Sequence, residues 1–116
     1  MQYLLLIYAN ESAEAQIPQE QQRAMFGEWM AYTADLKTAN ALVAGDALQP
    51  TANATSVRLR NGERMITDGP FAETKEQLGG YYLIEAKDLD AALDWAAKCP
   101  GARSGTIEVR PVMVFG

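Results

Sequence analysis

Residues 2–8, Gln-Tyr-Leu-Leu-Leu-Ile-Tyr, are apolar at almost every position. Successive side chains of a strand point to opposite faces, so Tyr3, Leu5 and Ile7 take one face and Leu4, Leu6 and Tyr8 the other. The pattern predicts a strand with apolar groups on both sides. A polar loop is expected from Asn10 to Gln16. Pro18 suits the first turn of a helix, and Glu20 is favourable near its positive end, although Ile17 offers no capping oxygen. Met25, Trp29, Tyr32 and Leu36 then recur at helical spacing, with Phe26 and Thr33 beside them, which predicts an amphipathic helix within residues 18–39 whose stripe is mostly core.

A short strand is expected within residues 41–47, followed by a loop over 49–54. Residues 56–60 and 63–67 flank Asn61-Gly62, a pair that tolerates the positive φ angles of a type I′ turn, so they read as a hairpin. Asp68-Gly69-Pro70 ends its second strand. Residues 71–78 read as a charged loop, with Gly79-Gly80 as a flexible exit. Residues 81–86 again carry apolar groups on both faces. Asp88 is a good N-cap for a helix over 89–98. Leu89, Ala92, Leu93 and Ala96 give that helix a buried side, and Pro100-Gly101 stops it. A last strand is expected over 106–115, with Ile107, Val109, Met113 and Phe115 on one face. Pro111 places it at an edge or a bend.

The order strand-helix-strand, hairpin, strand-helix-strand implies an α+β fold in one domain, residues 1–116. Its expected form is a ferredoxin-like sandwich with a mainly antiparallel sheet and two helices on one face. Two helices leave the other face uncovered, and that face carries Leu, Ile and Tyr side chains. Large apolar patches on soluble chains mark interaction surfaces. A homodimer paired through its sheet faces is therefore expected, with a small-molecule pocket in a cleft between sheet and loops.

Composition narrows the function classes. The 116 residues hold 15 acidic and 10 basic side chains, so the chain is acidic, with net charge −5. Arg58, Arg60 and Arg64 form its densest basic group, on the hairpin, where they read as solvated strand residues. No nucleic-acid partner is expected. No apolar run nears the ~20 residues of a membrane span. The single cysteine, Cys99, permits no intrachain disulfide, and no basic leader precedes the first strand; both fit a cytoplasmic location. Cys99 itself reads as a small buried residue at a helix end. The absence of histidine excludes Ser-His-Asp and Cys-His machinery and His-ligated zinc. Any acid or base must be Asp, Glu, Lys, Tyr or Cys. The acidic residues show no metal-ligand spacing, so neither metal nor other cofactor is expected.

Asp68 leads the candidate site residues, because it stands where a strand becomes a Gly-Pro loop, a common position for a functional carboxylate. Stabilising that turn is its plainer role. Phe71 reads as a loop anchor in the core, or as a stacking surface for a ligand. In the charged run after it, Lys75 would hold an anionic group and Glu73 would accept a proton; a solvated loop is the ordinary reading. Glu28 flanks the helical stripe and would reach the sheet edge near Tyr8 or Asp46. Sharing a pocket with Asp68 would raise one pKa and make an acid/base pair. Tyr8, Tyr32 and Tyr82 would lend hydroxyls to such a pocket, or simply pack.

The stretch Thr67-Asp-Gly-Pro-Phe-Ala-Glu-Thr-Lys-Glu-Gln-Leu-Gly-Gly-Tyr81 closely resembles the DGPF proteins of the YCII-related family. The opening Tyr3-Leu-Leu-Leu-Ile-Tyr8, the segment Leu42-Val-Ala-Gly45 and the ending Glu108-Val-Arg-Pro-Val112 resemble it too. The resemblance implies a dimeric α+β barrel and, in bacteria, an association with genes for extracytoplasmic-function sigma factors. Some members of the wider family pair a histidine on the first helix with an aspartate after the second. Glu28 and Cys99 stand at about those positions here, so that dyad does not carry over. Three functional readings follow: a ligand-binding dimer, a cofactor-free enzyme using Asp68 and Glu28 as acid and base, and an interaction module for a sigma factor.

Overall fold

A computed structural model describes all 116 residues. Strand β1 (Gln2–Ala9) leads into a single turn of helix, α1 (Glu11–Glu14), and the long helix α2 (Gln19–Thr38). β2 (Leu42–Ala47), β3 (Thr55–Arg60), β4 (Glu63–Asp68) and β5 (Gln77–Glu85) follow, then α3 (Leu89–Lys98) and β6 (Thr106–Pro111). Four strands form one sheet in the order β2-β5-β1-β6, with every pair antiparallel. This is the expected α+β, ferredoxin-like architecture. No helix is long and apolar enough to cross a membrane.

The local signals act as their chemistry dictates. The Asp88 carboxylate caps α3 by accepting from the Ala91 N–H at 2.9 Å. Asn40, at φ 55, ends α2 in the left-handed conformation, and the Ala41 N–H reaches back to the Leu36 carbonyl at 2.9 Å. Asn61 and Gly62 have φ of 52 and 78, as a type I′ hairpin requires.

The register sorts the sheet into two faces. Tyr3 stands opposite Ile84, and Leu5 opposite Tyr82 and Val109. These side chains pack against Tyr32 and Leu36 of α2, Ala92 and Ala96 of α3, and Cys99. Leu5, Leu36 and Ile84 are fully buried there. On the other face Leu4 meets Leu83, and Leu6 meets Tyr81, with Tyr8 and Leu78 beyond. All six are only partly shielded, and the core lies wholly on the helical side.

Several expectations are corrected. Residues 11–14 form a helical turn rather than loop, because the Asn10 side chain caps it by accepting from the Ala13 N–H at 2.9 Å. Gly79 and Gly80 lie inside β5 rather than in a flexible exit. The pairing slips between Ile7 and Tyr8, and the extra residue is taken up at Gly79. Leu89 and Leu93 stay largely exposed, since the small Ala92 and Ala96 let α3 approach the sheet along a different line. The last strand stops at Pro111, leaving Met113 and Phe115 in the open. Phe71 is 79% exposed and anchors no core.

The expected hairpin forms, and it stands apart from the rest of the chain. β3 and β4 pair only with each other, and none of their side chains joins the core. The chain is consequently flat, 48 × 48 × 19 Å, with a radius of gyration of 16.2 Å. A compact domain of this length has roughly 13 Å.

Candidate functional site

Two cavities flank α2. The larger, about 650 Å³, is a groove between α2 and the β2–β5 end of the sheet. Its apolar wall comes from Met25, Phe26, Trp29 and Met30, one face of the helix at i, i+1, i+4 and i+5. The Trp29 and Tyr82 rings lie nearly parallel, 19° apart with centroids 6.4 Å distant. The Tyr82 hydroxyl is fixed by the Thr33 hydroxyl at 2.6 Å. Gly45 makes room for this ring, because a Cβ there would sit 2.7 Å from it. Burial pushes the Tyr82 phenol up, partly offset by the Thr33 hydrogen bond.

Polar groups ring the groove. The Tyr81 hydroxyl donates to Asp46 Oδ2 at 2.7 Å, and that bond holds the phenol's proton more tightly than usual. Lys37 enters from α2, and Glu14 from α1. Glu11 closes one end: its carboxylate accepts from the Thr51 N–H at 3.0 Å and the Thr51 hydroxyl at 2.7 Å.

The second cavity, about 360 Å³, is a shallow depression between α2 and α3. Glu28, Tyr32 and Asp35 face Trp95, Lys98, Cys99 and Arg103 across it. Glu28 is ion-paired with Arg103. The Tyr32 hydroxyl donates to the Trp95 carbonyl at 2.8 Å. Burial, reinforced by the neighbouring Cys99 and Tyr82, keeps Tyr32 protonated far above the usual phenol range. Burial also pushes the Cys99 thiol up, so it remains a thiol at neutral pH and a poor nucleophile.

Of the residues singled out in the sequence for a site, the groove takes Asp46 and Tyr82. Glu28 lines the inter-helix depression. Tyr8 lies on the open face of β1, opposite Leu78 and Thr106. Asp68 ends β4, and Phe71, Glu73 and Lys75 follow it in the exposed loop; none of the four lines either cavity. The structure therefore does not bring Asp68 and Glu28 into one cavity. Ser56 Oγ donates to the Gly69 carbonyl at 2.8 Å, and the Gly69 N–H donates to the Ala54 carbonyl at 2.7 Å, so the Asp-Gly-Pro segment is braced to the base of β3. Gly69 adopts φ 93, which favours glycine. No group of three His, Cys, Asp or Glu side chains is placed to hold a metal ion. Sequence reasoning assigned Trp29 to the core and gave Tyr81 no role. The apolar run Met25, Phe26, Trp29, Met30 was the available signal, because it is wider than one buried stripe.

The fold and the chain have recognisable relatives. In fold the chain is similar to 5-chloro-2-hydroxyhydroquinone dehydrochlorinase (TftG) from Burkholderia phenoliruptrix AC1100, solved in complex with 2,5-dihydroxybenzoquinone. That match has a TM-score of 0.57 at 13% identity and covers 97% of this chain and 94% of the other. In sequence it is 38% identical over 117 residues to an uncharacterised protein of Rhizobium meliloti (strain 1021), covering 99% of this chain and 94% of that one. The model of the YCII-related domain matches residues 1–116. The chain thus belongs to the YCII-related family across its whole length.

Proposed function

We propose that this protein is a homodimer, paired through its open sheet faces, that binds a flat, oxygenated aromatic or quinonoid small molecule in the groove beside α2. The observation that carries this reading is the groove itself. Its volume falls within the ~300–1,000 Å³ of small-molecule sites. An aromatic and methionine wall faces a few convergent polar groups, the usual division between affinity and orientation. A planar ring stacks on Trp29 or Tyr82. Lys37 attracts an anionic ring oxygen, and the Thr33–Tyr82 hydroxyl pair meets a hydroxyl group of the ring. The dehydrochlorinase of the same fold holds 2,5-dihydroxybenzoquinone, which supports this ligand class.

The pairing follows from the face carrying Leu4, Leu6, Tyr8, Leu78, Tyr81 and Leu83. Fully burying each such side chain stabilises by about 1.5–3 kcal/mol, and α2 and α3 pack on the other side.

Titration of the protein with 2,5-dihydroxybenzoquinone, followed by tryptophan fluorescence and calorimetry, tests the ligand reading. Saturable binding at submillimolar concentration is expected. Trp29→Ala weakens it about tenfold or more, the equivalent of one lost stacking contact of ~1.4 kcal/mol. Lys37→Met, at an exposed position, also weakens binding while thermal stability stays as in the wild type. Absence of saturable binding, or wild-type affinity in both variants, contradicts it.

A further inference from the structure

We infer that the β3–β4 hairpin is an exchanged arm: in the dimer it lies across the partner's groove and completes that site. This rests on the sheet-paired dimer proposed above and adds to it a defined role for residues 55–68. The arm's hydrogen bonds close within it, and no side chain of it reaches the core of its own chain. A two-stranded hairpin standing alone in water is marginal at best, so this arm needs a surface to lie on. It is built for one. Val57 faces Ile66 across the ladder, and Leu59 faces Arg64, so three aliphatic side chains and one arginine share a face. Val57, Leu59 and Ile66 are 63%, 63% and 58% exposed. Ser56, Arg58, Arg60, Glu63 and Thr67 hold most of the other face, as a solvent side should.

The occupant of the arm's apolar face follows from complementary charge and apolar character. Residues 55–68 hold three of the chain's 10 basic residues and two of its 15 acidic ones, so a basic arm projects from an acidic molecule. The groove offers the complement: the exposed Phe26 and Met30 on its apolar wall, with Glu14 on its rim. Once two sheets cover each other's open faces, the groove wall stays exposed as an apolar surface with an acidic side chain beside it. Within one chain the arm does not touch it. A second copy supplies the contact, with Val57, Leu59 and Ile66 against the partner's Phe26 and Met30, and Arg64 toward the partner's Glu14. Asp68 and Phe71, at the root of the arm, are then carried to the edge of a groove belonging to the other subunit.

Isotope-filtered nuclear Overhauser spectroscopy on a mixture of carbon-13-labelled and unlabelled full-length chains tests this without any variant. The expected result is cross-peaks from the methyls of Val57, Leu59 and Ile66 in one chain to the Phe26 ring and the Met25 and Met30 methyls of the other. Cross-peaks between chains from Leu4, Leu6 and Leu83 report the sheet pairing separately. If those appear while the arm methyls show no contact to the partner, or show groove contacts only within their own chain, the exchanged arm is overturned and the dimer stands. If no peak between chains appears and the mass is that of one chain, the dimer fails and the arm with it.

Discussion

Replacing Leu6 and Leu83 together by aspartate is expected to convert the protein into a folded monomer. Both side chains lie on the open face of the two central strands, where Leu6 meets Tyr81 and Leu83 meets Leu4. Neither belongs to the core formed by Tyr3, Leu5, Tyr32, Leu36 and Ile84, so helix packing in each chain is left as it was. A two-fold interface carries each substitution twice. The loss of four leucine side chains at about 1.5–3 kcal/mol each gives roughly 6–12 kcal/mol, and every 1.4 kcal/mol is tenfold in affinity. Burying the new carboxylates adds a further penalty. The dissociation constant should therefore rise by at least about a hundredfold, even if neighbouring contacts recover half of the loss. Light scattering at micromolar concentration reads the mass, and circular dichroism confirms that the chain still folds. A variant that stays dimeric places the interface elsewhere.

The second large effect is expected inside the protomer. Leu36 is fully buried, at the last turns of α2, packed among the side chains that join both helices to the sheet. Leu36→Ala removes three carbons from a site that Ile84, Leu5 and Tyr3 cannot refill without moving strands. Such truncations cost about 2–5 kcal/mol, a large part of the ~5–15 kcal/mol that holds a domain together. For a domain near 100 residues this lowers the melting temperature by roughly 10–30 °C. Phe26→Ala is the contrasting case. Phe26 is 66% exposed and should change stability little, although it removes part of the groove wall. Chemical denaturation of both variants, at one protein concentration above the dissociation constant, gives the comparison. Equal costs for the two would mean that the core is not where Leu36 lies.

The regular elements were legible in the sequence because their signals are local. Strand alternation in residues 2–8, the 25/29/32/36 stripe, the Asp88 cap and the Asn61-Gly62 turn each act within a few residues, and each lies where its pattern indicates. What a hairpin packs against is not local. The alternation of β3 and β4 marks an apolar face but names no partner for it, and the face is unpartnered within the chain. The groove was illegible for a similar reason. Asp46 and Tyr81 are 35 positions apart, and only the β2–β5 register sets the phenol on the carboxylate. Trp29 was assigned to the core because a helical stripe ordinarily is core, yet one edge of its ring also walls a cavity. The Asp68 motif drew attention to a loop that lies away from both cavities of its own chain.

These observations share one physical root. A sheet with two apolar faces and helices on only one of them leaves the chain flat and incompletely buried. Sedimentation equilibrium of the wild-type protein between about 1 and 100 µM, where ~8 kcal/mol of association free energy already gives dimer, tests this directly. A species of about twice 12.7 kDa is expected. A single 12.7 kDa species throughout that range would contradict it.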